Sequence, residues 1–371
     1  MTQTAAPERG MTDNTVRKAK ESFAKLRIEN VQRFVEQFID PRLSPKVTQL
    51  KHPTDGAGAS NGIAFVTVTL MDGGSPRDEE IVIRYTAGVP LLKQKSPATE
   101  YALLRVLDET SLPTPTPLWL DEDGATLGFP GFAMKRVEGT PPAAAMYSAG
   151  PLANMSDEDR HATMLKAAAF HGDLRRAAIG ADRLPFLLSR GVGRLAGETA
   201  IERELNWWLD EVALVTDDDD PRRLEIEALR DWLVRHQPRD VYEPILVHGD
   251  SQIANIIFDK GEIAAVIDWE LSYLGHVETD VYGIVFLTET MKQLDRDIGG
   301  TPTEAEYIQA FEEAAGTPAE HWDYFRLMYM FKVVAVTRLG VAQGPQYDGL
   351  WTFYAAQLAE EWNRARAIYG D

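Results

Sequence analysis

The spacing of apolar residues changes character twice along this chain. Apolar positions recur at helical intervals toward Phe38, which predicts a first helix around Glu21 to Phe38. Between Val47 and Arg84 the period shortens to that of a strand. VTQLKH, IAFVTVTL and EEIVIRY are rich in β-branched residues, and TDGAGASNG and the turn DGGSPRDEE separate them, so three antiparallel strands are expected. PATEYALLRVLDET returns to helical spacing, and PLWLDEDGATLGFPGFAMKRV reads as a strand pair punctuated by glycine. The sum is a small antiparallel sheet with one helix across it.

Beyond Glu138 the helical period dominates. Ser156, followed by Asp157 and Asp159, marks a capped helix start, with the helix running to about Ala177. Further helices are expected over 199–214, 222–236, 279–294, 303–315, 319–342 and 350–368. Residues 244–268 interrupt them with three short strands, PILVH, NIIFD and IAAVID, the last two joined by a tight KGE turn. The fold class is therefore α+β. A flexible tail is expected over 1–20, a sheet domain over 21–137 and a mostly helical domain over 138–371, divided where VEGTPP ends the sheet region.

Composition narrows what such a fold can serve. At 371 residues and 44% hydrophobic content, the chain can bury two joined cores. Its 57 acidic and 38 basic residues give a formal charge of -19, which disfavours nucleic acid and anionic membranes as partners. A cationic ligand, or an anion neutralised by a metal, remains compatible. Without cysteine there is no disulfide, thiolate nucleophile or cysteine-bound zinc, which suits a reducing cytoplasm. No apolar leader opens the chain, and no apolar run approaches the ~18 residues of a membrane span. A soluble, cytoplasmic protein is expected.

The chemistry concentrates in LVHGDSQIANIIFDKGEIAAVIDWE, residues 246–270. Phosphoryl transfer asks a protein to place a nucleophile, hold a nucleotide and neutralise charge through metal ions. Asp250 is the candidate base, a carboxylate that orients an acceptor hydroxyl and takes its proton. Magnesium takes hard oxygen ligands and keeps some of its waters, so Asn255 and Asp268 are its candidate ligands. His248, two residues before Asp250, is the second candidate catalytic residue. A second HGD, at His171, Gly172 and Asp173, has alanine at the asparagine position and no following strand, and is read as structural. A metal-dependent hydrolase built on Asp250, Asp268 and His248 is the weaker reading, because one histidine and two distant carboxylates make a poor preformed cage.

HGDSQIANIIFD and VIDWELSYLGHVETDVYG resemble the aminoglycoside phosphotransferase family of kinase-like enzymes, nearest the branch related to the kinase-like domains attached to some acyl-CoA dehydrogenases. The resemblance runs from about Phe34 onward and is strongest over 244–283. It implies a bilobal protein-kinase-like fold, with a small antiparallel-sheet N-lobe and a larger, mostly helical C-lobe. It also implies transfer of the γ-phosphoryl of ATP, or GTP, to a hydroxyl of a small molecule with Mg2+. Gly56, Gly58 and Gly62 would form either a phosphate-facing turn or an ordinary hairpin turn, their spacing departing by one residue from G-x-G-x-x-G. Arg84 stands where such kinases carry a phosphate-binding lysine, with Glu100 as its ion-pair partner, and Met134 to Val137 would form the adenine-binding hinge. The resemblance also implies that His248 braces the loop through backbone hydrogen bonds rather than transferring protons. Asp280 is expected either to accept hydrogen bonds from the catalytic-loop backbone or to act as an ordinary helix cap, and Glu270 either to touch substrate or metal or to support the site from behind. Arg84 and the irregular glycine turn prompt a rival reading, a nucleotide-binding pseudokinase. The acyl-CoA-linked branch prompts another, a hydroxyacyl or other lipid-like acceptor. Trp207, Trp208, Trp322, Tyr324, Phe325 and Tyr329 are the aromatic candidates to line such a site, with core packing as their default role.

Overall fold

The computed structural model of the chain describes residues 25–53, 62–86, 96–141, 150–189, 196–294, 298–342, 344 and 347–371. The tail expected over 1–20, and Gly56 and Gly58, lie outside these residues. The described chain divides into two units. One comprises the residues up to 140 together with 257–270, and the other comprises 141–256 and 271–371.

The first unit is built on an antiparallel sheet of five strands: β1 (Lys46–Lys51), β2 (Gly62–Asp72), β3 (Ser75–Tyr85), β4 (Pro117–Asp121) and β5 (Gly131–Lys135), in the order β1-β2-β3-β5-β4. Period-2 alternation puts Ala64, Val66, Val68 and Leu70 in the core, where Val31, Phe34 and Val35 of α1 (Ile28–Phe38) pack on the same cluster. Arg84 sits on a central strand, opposite Ile63 on one side and Phe132 on the other. Helix α2 (Pro97–Leu107) opens with proline at its first position and buries Glu100 with Leu103, Leu104 and Leu107. A hairpin of two strands, Ile256–Asp259 and Glu262–Val266, turns through Lys260 and Gly261, both at positive φ (49° and 83°), as the KGE reading expects. Backbone pairing of Thr140 with Phe258, and Val266 N–H donating to Pro113 at 2.8 Å, tie that hairpin to the sheet unit.

The second unit is helical: α3 (Asp157–Ala177), α4 (Ala200–Ala213), α5 (Pro221–Arg235), α6 (Glu278–Gln293), α7 (Glu304–Ala315), α8 (Trp322–Val341) and α9 (Asp348–Tyr369), with a single turn at Pro151–Asn154. Ser156 caps α3 by accepting from Asp159 N–H at 3.1 Å. The strand of PILVH, Ile245–Val247, pairs antiparallel with Tyr273–Gly275, a three-residue strand that the sequence pattern does not announce. Trp207, Trp208, Tyr324 and Phe325 are at most 2% exposed, so they are core. Among the described residues no helix is long and apolar enough to cross a membrane.

Candidate active site

In the helical unit, the strand Ile245–Val247 delivers the chain into His248-Gly249-Asp250. Gly249 takes φ +81°, and a Cβ there would lie 2.3 Å from the Leu271 carbonyl oxygen, so only glycine makes this turn. Asp250 N–H donates to Nδ1 of the buried His248 at 3.2 Å, the bracing role expected of that histidine. The Asp250 carboxylate is held at both oxygens: Gln252 Nε2 donates to Oδ1 and Asn255 Nδ2 to Oδ2, each at 3.0 Å. Asn255 Nδ2 also donates to the Asp250 carbonyl at 3.0 Å. The five-residue spacing is therefore what lets one amide fasten both the backbone and the side chain of the candidate base.

Asp280 lies in the first turn of α6 and is 1% exposed, yet its side chain caps no helix. Oδ2 accepts from His248 N–H at 2.8 Å, and Gly249 N–H donates to Oδ1 and Oδ2 at 3.1 and 3.2 Å. Of the two roles weighed for it, the loop anchor is the one observed. Behind it stands His171 of the second HGD, Nδ1 3.6 Å from Asp280 Oδ2. Burial pushes the His171 imidazole down to about 4, with Asp280 pulling the other way. Gly172 beside it admits the Phe311 backbone, whose carbonyl oxygen would lie 2.4 Å from an added Cβ. The second tripeptide is helical and structural, as its spacing predicts, but it supports the first.

Two buried groups, Lys332 at this loop and Glu204, whose carboxyl feels the Lys332 charge, were missed by the sequence reading. Lys332 of α8, 9% exposed, donates from Nζ to the Gly249 carbonyl and stands 5.8 and 5.7 Å from the ring centroids of Trp208 and Tyr329. Glu204 of α4 is 2% exposed, and burial pushes its carboxyl up to about 7 against the pull of Lys332. A lone lysine inside the apolar run MYMFKVVAV was the available clue.

The sheet unit holds a second cluster. Arg84, 5% exposed, places Nε 2.8 Å from Glu100 Oε2, an ion pair whose N–H does not point along the contact; Nη2 lies 2.6 Å from Asp268 Oδ1 and 2.9 Å from Glu270 Oε2. The Arg84–Glu100 pair expected from the sequence is present, and Asp268 and Glu270 join it. Burial opposes the Arg84 charge, but Asp268, Glu100 and Glu270 more than offset that and hold the guanidinium above its ordinary range. Burial likewise pushes the Glu100 carboxyl up to about 8, against the pull of Arg84. Asp268 adopts a left-handed backbone (φ +68°), and Trp269, donating from Nε1 to the Val266 carbonyl at 2.9 Å, pins the adjoining turn.

Asn255 and Asp268, taken one at a time, each keep an oxygen donor of the hard kind that magnesium takes. With Nδ2 of Asn255 spent on Asp250, the end of the amide left for a cation is its carbonyl oxygen, a hard ligand. Asp268 keeps one carboxylate oxygen, Oδ2, that accepts no hydrogen bond among the described residues. Among those residues no group of three or more His, Cys, Asp or Glu is arranged to hold a metal. Gly62 begins β2, where an added Cβ would lie 2.4 Å from the Tyr85 ring, so ring packing already requires this glycine. Met134 lies opposite Val82, one residue before its strand ends at Lys135, with Val137 just beyond. A cavity of about 960 Å3 in the helical unit, beside Arg175, Arg203, Tyr242 and Glu320, is lined by none of the candidate residues. The candidate site rests on side-chain chemistry rather than on that volume.

A family model described as the phosphotransferase enzyme family matches residues 58–328. Acyl-CoA dehydrogenase family member 10 of Mus musculus is 27% identical over 272 residues, covering 70% of this chain and 24% of its own length. The chain thus spans about a quarter of that relative. The crystal structure of a candidate aminoglycoside phosphotransferase from Ralstonia eutropha superposes with a TM-score of 0.65 at 20% identity, over 92% of this chain and 99% of that one. The GDP and kanamycin complex of APH(2")-IIia gives 0.54 at 13% identity, over 90% and 98%.

Proposed function

Because the chain belongs to the phosphotransferase enzyme family and has its α+β, protein-kinase-like fold, we propose that it moves the γ-phosphoryl of ATP or GTP to a hydroxyl of a small molecule, with Asp250 as base. The observation that carries this is the fastening of the Asp250 carboxylate at both oxygens by Gln252 and Asn255, on a loop anchored by Asp280. A carboxylate held in one orientation positions an acceptor hydroxyl before reaction, which is where such a site gains most of its rate. As the acceptor oxygen bonds to γ-phosphorus and the bond to the β–γ bridging oxygen breaks, the hydroxyl proton passes to Asp250. Asn255, through its carbonyl oxygen, and Asp268 would hold Mg2+, which supplies charge neutralisation at the phosphate oxygens. Met134 to Val137 would receive the purine. The kanamycin bound by APH(2")-IIia and the acyl-CoA dehydrogenase relatives nominate two acceptor classes, aminoglycosides and hydroxyacyl compounds.

The test pairs a screen with a variant. Wild-type protein and MgATP or MgGTP are incubated with aminoglycosides, hydroxyacyl-CoAs and hydroxyl-bearing metabolites, and products are read by mass for gain of one phosphate. Asp250→Asn should lose at least ~100-fold in turnover while its nucleotide affinity by calorimetry stays within a few-fold. Unchanged turnover in that variant removes the assigned base. One observation favours a second reading: Arg84, in the place of a phosphate-binding lysine, contacts three carboxylates. Tight MgATP binding without transfer to any acceptor would select a pseudokinase.

A further inference from the structure

The arginine at the lysine position sits among acids rather than beside an open space for phosphate. Its Nε and Nη2, two of the three guanidinium nitrogens, are within 2.9 Å of Glu100, Asp268 and Glu270. A lysine ammonium is a compact point charge, whereas the planar fork of arginine can bridge acids that approach from different sides. One cation faces three carboxylates, so the cluster offers a bare triphosphate little net attraction. Of the three acids, Glu100 and Glu270 are buried to 3% and 10% side-chain exposure, while Asp268 retains 25%. Glu100 and Glu270 therefore hold the guanidinium from within, and Arg84 in turn holds Oδ1 of the most accessible acid at 2.6 Å, on a turn already constrained by its left-handed backbone.

We propose that Arg84 is a positioning residue for Asp268: it occupies one carboxylate oxygen, leaves the other for a divalent cation, and thereby makes nucleotide binding depend on the metal rather than on a direct arginine–phosphate contact. This rests on the phosphotransferase reading above and departs from the phosphate-cradling role expected of this position. Among the described residues no hydrogen bond from Nη1 is made, so a phosphate held there is the competing role, and the experiment separates the two.

ATP binding to the full chain is measured by calorimetry across a Mg2+ titration and again in EDTA, for wild type and Arg84→Lys, which keeps the charge and loses the fork. Removing a partner that orients a metal ligand typically costs about 10–100-fold in metal affinity. In Arg84→Lys the Mg2+ concentration giving half-maximal ATP binding should rise by that factor, with metal-free ATP affinity unchanged. Equal losses with and without Mg2+, at an unshifted half-saturation, would make Arg84 a phosphate ligand and overturn the proposal, as would a variant indistinguishable from wild type. Should Arg84→Lys fail to fold, wild type alone decides, because ATP binding in EDTA within about threefold of that with Mg2+ overturns the proposal. Wild type that binds no nucleotide under either condition sinks the phosphotransferase reading, and this inference with it.

Discussion

Replacing Asp280 by alanine is the sharpest test of the loop architecture, because the two roles weighed for that residue differ in size. A carboxylate acting only through the dipole of the helix that begins at Glu278 contributes about 0.3–1 kcal/mol. An anchor for the loop that carries Asp250 is worth more. Asp280→Ala strips two backbone donors, His248 N–H and Gly249 N–H, of the acceptor they now reach at 2.8–3.2 Å in a buried setting. Each orphaned buried donor costs about 1–3 kcal/mol. Releasing a buried carboxylate offsets part of that, leaving roughly 2–4 kcal/mol. Asp280→Asn keeps one acceptor oxygen and should lose about half as much. For a unit of ~150–250 residues each kcal/mol lowers Tm by about 2–4 °C, so the alanine variant should melt roughly 4–16 °C lower. Thermal and urea melts give the size, and hydrogen exchange gives the place: amides 248–250 should lose protection before those of the helix carrying Asp280. A loss below about 1 kcal/mol with loop protection intact would return Asp280 to the role of an ordinary helix residue.

Two further outcomes concern the same loop. Lys332→Met removes the cation from the Gly249 carbonyl, a charged hydrogen bond worth about 1.5–3 kcal/mol; exchange at the amides following Gly249 should quicken and kcat should fall about tenfold, with KM for nucleotide unmoved, whereas a KM effect alone would contradict the assignment. The Glu204 carboxyl sits at about 7 in the fold against an ordinary 4.5, so its contribution is complete below pH 4.5 and lost as pH rises through 7, a decline of up to ~3 kcal/mol that Glu204→Gln should abolish in pH-dependent melts. Buried His171 and His276, both held at about 4 against an ordinary 6.5, slope the other way below pH 6.5. The difference between wild type and variant is therefore the quantity to read, and parallel curves would refute the Glu204 assignment.

What the sequence made legible was whatever a short span determines. The turn at Lys260–Gly261 and the capped start at Ser156 are each fixed by residues within a few positions of one another, and each is found where the pattern put it, while the fastening of Asp250 by Asn255, five positions on, is a contact the reading of Asn255 as a metal ligand did not include. The Arg84–Glu100 pair lies at the edge of that reach, one strand and one helix start apart. Beyond it, separation erases the signal. Lys332 meets Gly249 across 83 positions, and Arg84 meets Asp268 across 184, so no local spacing records either contact. The strand Tyr273–Gly275 was missed for a different reason: three residues carry too little alternation to be told from a loop, and pairing with Ile245–Val247 makes it a strand.

The two copies of HGD show why spacing outranks identity in such a reading. Both contain a histidine, a small hinge and an acid, yet the fold uses the same letters in opposite ways. In the first, glycine at φ +81° bends the backbone so that two successive N–H groups meet Asp280, and the aspartate emerges from the bend with both oxygens tethered. In the second, glycine sits inside a helix and only clears room for the Phe311 backbone, while its aspartate pairs at the surface with Arg176 three residues on. The fifth residue after each aspartate sets the difference: an asparagine able to reach back in one case, an alanine ending a helix in the other. The two histidines nevertheless converge on one carboxylate, His171 Nδ1 at 3.6 Å from Asp280 and His248 through its backbone N–H at 2.8 Å. A substitution in the structural copy should therefore be felt at the loop through Asp280, because the carboxylate that anchors the first tripeptide is packed against the second.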